Sequence, residues 1–178
     1  MRGLVWDGKQ FHLTDALEVR SPGRGEVRVR VLRSGICHSD VNAMDAGDSG
    51  LVVLGHEAAG VVAELGEGVT DWELGEPVIA VTWTPCGHCR ECERDAPANC
   101  DETYGIVPKF PFTWNGKSVR SFANVASFAG EIVVKAHQLV RSYDLPPEQA
   151  ALIGCAVSTG YAAAKHIGAV RAGDRVVV

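Results

Sequence analysis

The chain has no run of the ~18 apolar residues that a membrane-spanning helix needs, and its first ten residues, MRGLVWDGKQ, lack the apolar centre of a secretory leader. It has no surplus of basic charge either, since 17 Lys and Arg stand against 22 Asp and Glu, for a net charge of −5. An extended nucleic-acid footprint and an anionic membrane surface are therefore poor partners. Internal repeats and low-complexity stretches are lacking. No G-x-G-x-x-G follows a strand-like stretch, so the usual mark of a dinucleotide-binding turn is missing. What is left is 178 residues, 46% apolar and 22% charged, enough for one domain with a sizeable core, or one domain and part of a second. With no sign of export, the cytoplasm is the expected location. There, six cysteines suit metal binding better than disulfides.

Four of those cysteines crowd into CGHCRECERDAPANC, at Cys86, Cys89, Cys92 and Cys100. Thiolates at a C-x2-C-x2-C-x7-C spacing can close a tetrahedral shell around one Zn²⁺, with Zn–S near ~2.3 Å and no position left open. Such a shell does structural work. Cysteines in adjacent C-x2-C pairs bridge poorly with each other, which argues against disulfides here.

Along the chain, residues 3–6 and 11–13 flank Asp7-Gly8, a hairpin dipeptide. Val27, Val29 and Val31 alternate with Arg28 and Arg30, the period of a half-buried strand. Residues 58–64 and 78–82 read as further strands. Strand and turn signals recur without intervening helices to about residue 145, the pattern of a small β-barrel or sandwich. Pro146-Pro147-Glu148 then opens a helix, and Ser158 to His166 reads as an alanine-rich second one. The closing RVVV, residues 175–178, has the look of a buried parallel strand opening a further domain.

The remaining cysteines lie in GICHSD (Cys37) and GCAVSTGY (Cys155), with LGHE (His56, Glu57) between them. Two thiolates and an imidazole would leave a fourth metal position open. Their spacing alone is a weak signal: a buried cysteine is commonly a small hydrophobe, and a lone histidine commonly meets a local hydrogen bond.

GICHSD, GHEAAGVV, the four-cysteine loop and GCAVSTGY, in this order, resemble the catalytic domain of the zinc-dependent medium-chain alcohol dehydrogenases over essentially the whole chain. The resemblance implies a mainly β fold with short helices. Residues 1–150 would form a GroES-like barrel, and residues 151–178 the connecting helices and first strand of a Rossmann domain. It implies two zinc ions, a catalytic one on Cys37, His56 and Cys155 and a structural one on Cys86, Cys89, Cys92 and Cys100. Ser39 then matches the hydroxyl that takes the substrate alcohol's proton into a relay. Asp40 matches a carboxylate that orients the histidine, and Glu57 an acid behind the metal. His38 and Thr159 fall where the family meets the NAD(P) pyrophosphate and nicotinamide, and Trp83 and Phe122 where it lines the substrate pocket.

One position departs from the family. Where several members end the relay in a histidine, this chain has Asn42, which does not titrate near neutral pH. The proton would then leave through water, His38 or the cofactor ribose. The expected activity is hydride transfer between a primary alcohol or aldehyde and NAD(P), in an enzyme that is a homo-oligomer at full length. Most of the NAD(P) site would lie in a domain outside this chain, leaving the fragment inactive alone. The segment ending SFANVASFAGEIVVKA resembles the class acting on long-chain alcohols and thiol adducts of formaldehyde. Rival readings are a free-standing zinc module that docks a partner, and another reductase or lyase on the same scaffold.

Overall fold

The computed structural model describes residues 1–46, 50–103 and 108–177. Strands β1 (Gly3–Trp6) and β2 (Phe11–Thr14) form the expected hairpin. Gly8 takes φ 92° in its turn, and the Asp7 carboxylate accepts from the Lys9 and Gln10 amides at 2.8 and 2.9 Å. After the two-residue β3 (Glu18–Val19) comes β4 (Glu26–Ser34), in which Val27 and Val29 are fully buried while Arg28 and Arg30 face outward. Each valine so buried contributes about 1.5–3 kcal/mol.

Here the helix-free expectation fails. Helix α1 (His38–Asp45) follows at once, with Asp40 its one buried residue. It has no apolar stripe, so hydrophobic periodicity cannot reveal it. What holds it is a reciprocal cap in which the Asp40 carboxylate at the third helical position accepts from the Cys37 N–H.

Then come β5 (Val52–Val53), β6 (Ala58–Leu65) and β7 (Pro77–Ala80), followed by the one-turn α2 (Arg90–Glu93) inside the cysteine loop. The strands end with β8 (Phe112–Trp114), β9 (Lys117–Ser121), β10 (Glu131–Lys135) and β11 (Leu139–Arg141). They assemble into a six-stranded sheet, β2-β1-β5-β9-β8-β3, and a five-stranded one, β10-β4-β6-β7-β11. One core joins the sheets: Val5, Val53, Phe112 and Val119 from the first, Val27, Val29, Val62, Val78 and Ile132 from the second. The chain crosses between them from β5 to β6, buried without a break from Val52 to Gly60. A mainly β fold with short helices is what the sequence predicts.

Glu26 ties the mouth of this barrel together. Its carboxylate accepts from Arg20 and from the Gly23 amide at 2.8 Å, and sits 3.1 Å from Lys135. Burial alone would raise its pKa, but these donors outweigh it and hold it down at about 2. A depressed carboxyl stabilises the fold above its ordinary pKa and loses that contribution as pH falls. Thermal stability should thus decline from about pH 4.5 toward about 2. In a Glu26→Gln variant that part of the decline should vanish in melts taken across this range. Parallel curves for both proteins would contradict it.

Past the barrel, α3 (Pro147–Leu152) starts at the foreseen prolines and lays Ala150 and Ala151 on Ala59 and Ile79, the outer face of β6 and β7. The helical run continues through a π turn, Ile153–Val157, then α4 (Ser158–Ala162) and a second π turn, Ala163–Ile167. The strand expected at RVVV is not formed over 175–177, and Val178 lies outside the described residues. Val176 and Val177 are 56% and 98% exposed, and without a neighbouring strand to receive them their amides have no ladder to join. Among the described residues no helix is long and apolar enough to cross a membrane.

Candidate functional site

Three distant segments meet where β4, the β5–β6 crossing and the helical run come together. Cys37 precedes α1, His56 lies in the crossing, and Cys155 sits in the first π turn, a distortion often found at functional sites. Ligand atoms of Cys37, His56, Glu57 and Cys155 all lie within 4.8 Å of one another. The two sulfurs are 3.9 Å apart, close to the ~3.8 Å edge of a tetrahedral zinc–thiolate shell with bonds of ~2.3 Å. His56 and Glu57 are buried, at 4% and 2% exposure, whereas the cysteines are half-buried, so the cluster opens to one side.

Asp40 organises the histidine side. At 2% exposure, its Oδ1 lies 3.2 Å from His56 Nδ1 and accepts from the Gly55 amide at 2.9 Å, while Oδ2 accepts from the Cys37 amide at 3.0 Å. With Nδ1 turned to a carboxylate, Nε2 is the nitrogen left for a metal. Burial works against the Asp40 charge, but His56 and the two amides keep its pKa below the ordinary value. In return Asp40 raises that of His56.

The Ser39 amide heads the causes that lower the Cys37 thiol, the Ser39 hydroxyl adding to it at 3.7 Å from the sulfur. Burial, then the neighbouring Cys37, push Cys155 up to about 11.

Gly35 is required here. Its amide bonds the Glu57 carbonyl at 2.9 Å, and a Cβ on it would overlap the Glu57 carboxylate.

The second cluster unites Cys86, Cys89, Cys92 and Cys100. Cys92 Sγ lies 3.6 Å from Cys89 Sγ and 4.0 Å from Cys86 Sγ, again tetrahedral-edge distances. The Cys86 amide points at Cys100 Sγ (3.4 Å) and the Cys89 amide at Cys86 Sγ (3.2 Å), an arrangement that favours thiolates. The Cys86 amide is the chief cause that brings Cys100 down to about 6, while burial lifts Cys92 to about 11. Both donor sets fit Zn²⁺ on their own chemistry.

The other sequence candidates fall at different distances from this centre. Phe122 stacks edge-on against His56, ring centroids 5.8 Å apart. His38, Ser39 and Thr159 are exposed on helical segments beside the cysteines, and Asn42 is exposed on α1. Trp83, just past β7, is 45% exposed. Gly35, Gly55 and Ser127 lie inside the quoted stretches GICHSD, GHEAAGVV and SFANVASFAGEIVVKA, but no role could be assigned to them there, because what singles them out is packing across long stretches of chain.

The family described as alcohol dehydrogenase GroES-like domain matches residues 23–146. The alcohol dehydrogenase class-3 of Drosophila melanogaster is 33% identical over 186 residues, an alignment covering 98% of this chain and 49% of the relative. The S-(hydroxymethyl)glutathione dehydrogenase of Synechocystis is 34% identical, with 96% of this chain and 49% of the relative covered. Among solved structures, an alcohol dehydrogenase zinc-binding domain protein from Burkholderia ambifaria superposes with a TM-score of 0.82 at 27% identity, covering 97% of this chain and 50% of that one. The chain thus spans about half the length of the curated relatives it matches.

Proposed function

This chain belongs to the alcohol dehydrogenase GroES-like domain family, and from that premise we propose that it is the substrate-binding part of a zinc-dependent, NAD(P)-linked alcohol dehydrogenase. The observation that carries the reading is the meeting of Cys37, His56 and Cys155, open on one side, beside a separate all-cysteine set. Zinc held by those three residues would supply a Lewis acid that lowers the pKa of a substrate hydroxyl.

The chain's own residues do the rest. Asp40 fixes the ring of His56 through Nδ1. Ser39 presents its hydroxyl 3.7 Å from Cys37 Sγ, where it can take the alcohol's proton before hydride leaves the adjacent carbon. Because Asn42 cannot carry that proton onward, release runs through water, His38 or the cofactor ribose. Phe122 closes the apolar side of the pocket next to His56, and Trp83 is the second pocket aromatic. His38 and Thr159 meet NAD(P) from this side, and most of the nicotinamide site lies outside these residues, which contain no G-x-G-x-x-G turn. The substrate is a primary alcohol or its aldehyde. The relative named for S-(hydroxymethyl)glutathione supports a thiol adduct of formaldehyde within that class.

The test is zinc per chain on chelator-rinsed protein, beside a Cys37→Ala/Cys155→Ala double variant. Two ions should fall to one. The cobalt-loaded chain should also change its visible spectrum when a primary alcohol is added, and the double variant should not. One ion in both proteins, or a spectrum indifferent to alcohol, contradicts the reading.

A further inference from the structure

The loop between β9 and β10 is bent in a way few side chains tolerate. Ala123, Asn124 and Ala126 have φ of 49°, 61° and 61°, left-handed values that alanine in particular disfavours. Such backbone persists only where its surroundings over-determine it. Here the surroundings are the His56 crossing. The Phe122 amide bonds the Val53 carbonyl at 3.0 Å, the Ser127 amide bonds Gly55 at 2.9 Å, and the Phe128 amide bonds Leu54 at 3.0 Å. Ser127 is 2% exposed, and its Oγ lies 2.6 Å from Ser34 Oγ, the last residue of β4. Gly55 has φ 86°, and a Cβ there would overlap both Ser127 Oγ and the Phe128 ring.

These contacts close a ring. Ser34 leads through Gly35 to Cys37, and Gly35 is bonded to Glu57, the neighbour of His56. His56 follows Gly55, Gly55 is bonded to Ser127, and Ser127 returns to Ser34. We infer that the Ser34–Ser127 hydroxyl pair is a clasp that sets the distance between Cys37 and the Gly55–His56 turn, making Ser127 a positioning residue for the metal centre. The β9–β10 loop also meets β4 through the Val31 amide, which bonds the Gly130 carbonyl at 2.9 Å, but the hydroxyl pair is the link that reaches the end of β4 next to Gly35 and Cys37. Ser34 is exposed and its hydroxyl also donates to the Gly35 carbonyl at 3.1 Å, so it has partners besides the clasp, whereas the Ser127 hydroxyl is buried against Ser34 and the Gly55 face. Removing the Ser127 hydroxyl should therefore matter more than removing that of Ser34.

The inference rests on Cys37, His56 and Cys155 holding metal, and the experiment separates the two ideas. Ser127→Ala, Ser34→Ala and the double variant are compared with the parent chain by chelator competition for Zn²⁺ and by amide hydrogen exchange at Gly55. Ser127→Ala should weaken retention at the Cys37 site by about 10–100-fold and speed Gly55 exchange about tenfold, the effect of one lost hydrogen bond. The four-cysteine site, which shares no residue with this ring of contacts, should keep its affinity and so report an intact fold. The double variant should be no worse than Ser127→Ala, and Ser127→Thr, which restores a hydroxyl, should recover part of the loss. Unchanged Gly55 exchange, additive effects in the double variant, or equal weakening of both sites would overturn the clasp. If the parent binds a single ion, the metal reading fails, and Gly55 exchange alone decides the clasp.

Discussion

Replacing Cys100 with serine should release the ion from the four-cysteine loop and open residues 86–100 to protease. Between Thr84 and Cys100 no residue other than those two is buried, and the regular structure is limited to α2 and the turn Pro97–Asn99. A segment with so little apolar contact cannot offset its ordering entropy of about 1–2 kcal/mol per residue by packing. Metal must hold it. Structural zinc in small peptides contributes roughly 10–16 kcal/mol at neutral pH, so one ligand in four corresponds to about 2.5–4 kcal/mol on the same scale, a loss of roughly 10²–10³-fold in affinity. Arg90 and Arg94 lie inside the loop and offer trypsin two bonds to cut. The measurement is the rate of tryptic cleavage there beside zinc content. Faster cleavage by about two orders of magnitude, with one ion lost, is the expected result. A loop that stays resistant after losing its ion would show that it is held by packing.

Asp40→Asn should be the most damaging single change at the other centre. The Asp40 carboxylate accepts from two backbone amides and meets the His56 ring, all while 2% exposed. An asparagine of the same shape has one oxygen, and its NH₂ must face a donor it cannot bond. Leaving buried donors unmet costs about 1–3 kcal/mol each, so a stability loss of about 2–4 kcal/mol follows. His56 would at the same time lose the partner that selects its tautomer. Urea unfolding should show the lower stability, and metal analysis should find the Cys37 site emptied while the four-cysteine site stays loaded. An unchanged midpoint with both ions kept would mean that Asp40 is a bystander.

How much of this was legible in the sequence depended on distance along the chain. The hairpin at Asp7-Gly8, the alternation in β4, the proline-opened α3 and the cysteine loop are local patterns, and each appears where it was read. Helix α1 is not legible in the sequence, because its logic is a polar cap between Cys37 and Asp40, with no periodic apolar face to read. RVVV has the side chains of a strand, but a strand is defined by a partner. The Cys37, His56 and Cys155 set lay beyond spacing arguments, and only resemblance to a family brought the three together before the structure did. Ser34 and Ser127 are 93 residues apart, and no local pattern marks them as a pair.

The buried crossing from Val52 to Gly60 has a consequence for assembly. Cys86 and Cys100 are 14 positions apart, whereas Cys37 and Cys155 are 118 apart, and His56 sits in the crossing that is buried between the two sheets. Short loops close quickly, and contacts of long sequence separation come late in folding. A newly made chain can therefore capture zinc on its cysteine loop while the barrel is still incomplete. On the proposed reading, the centre that would do chemistry is expected to gather its ligands last, so that a half-folded molecule would hold no exposed, reactive metal.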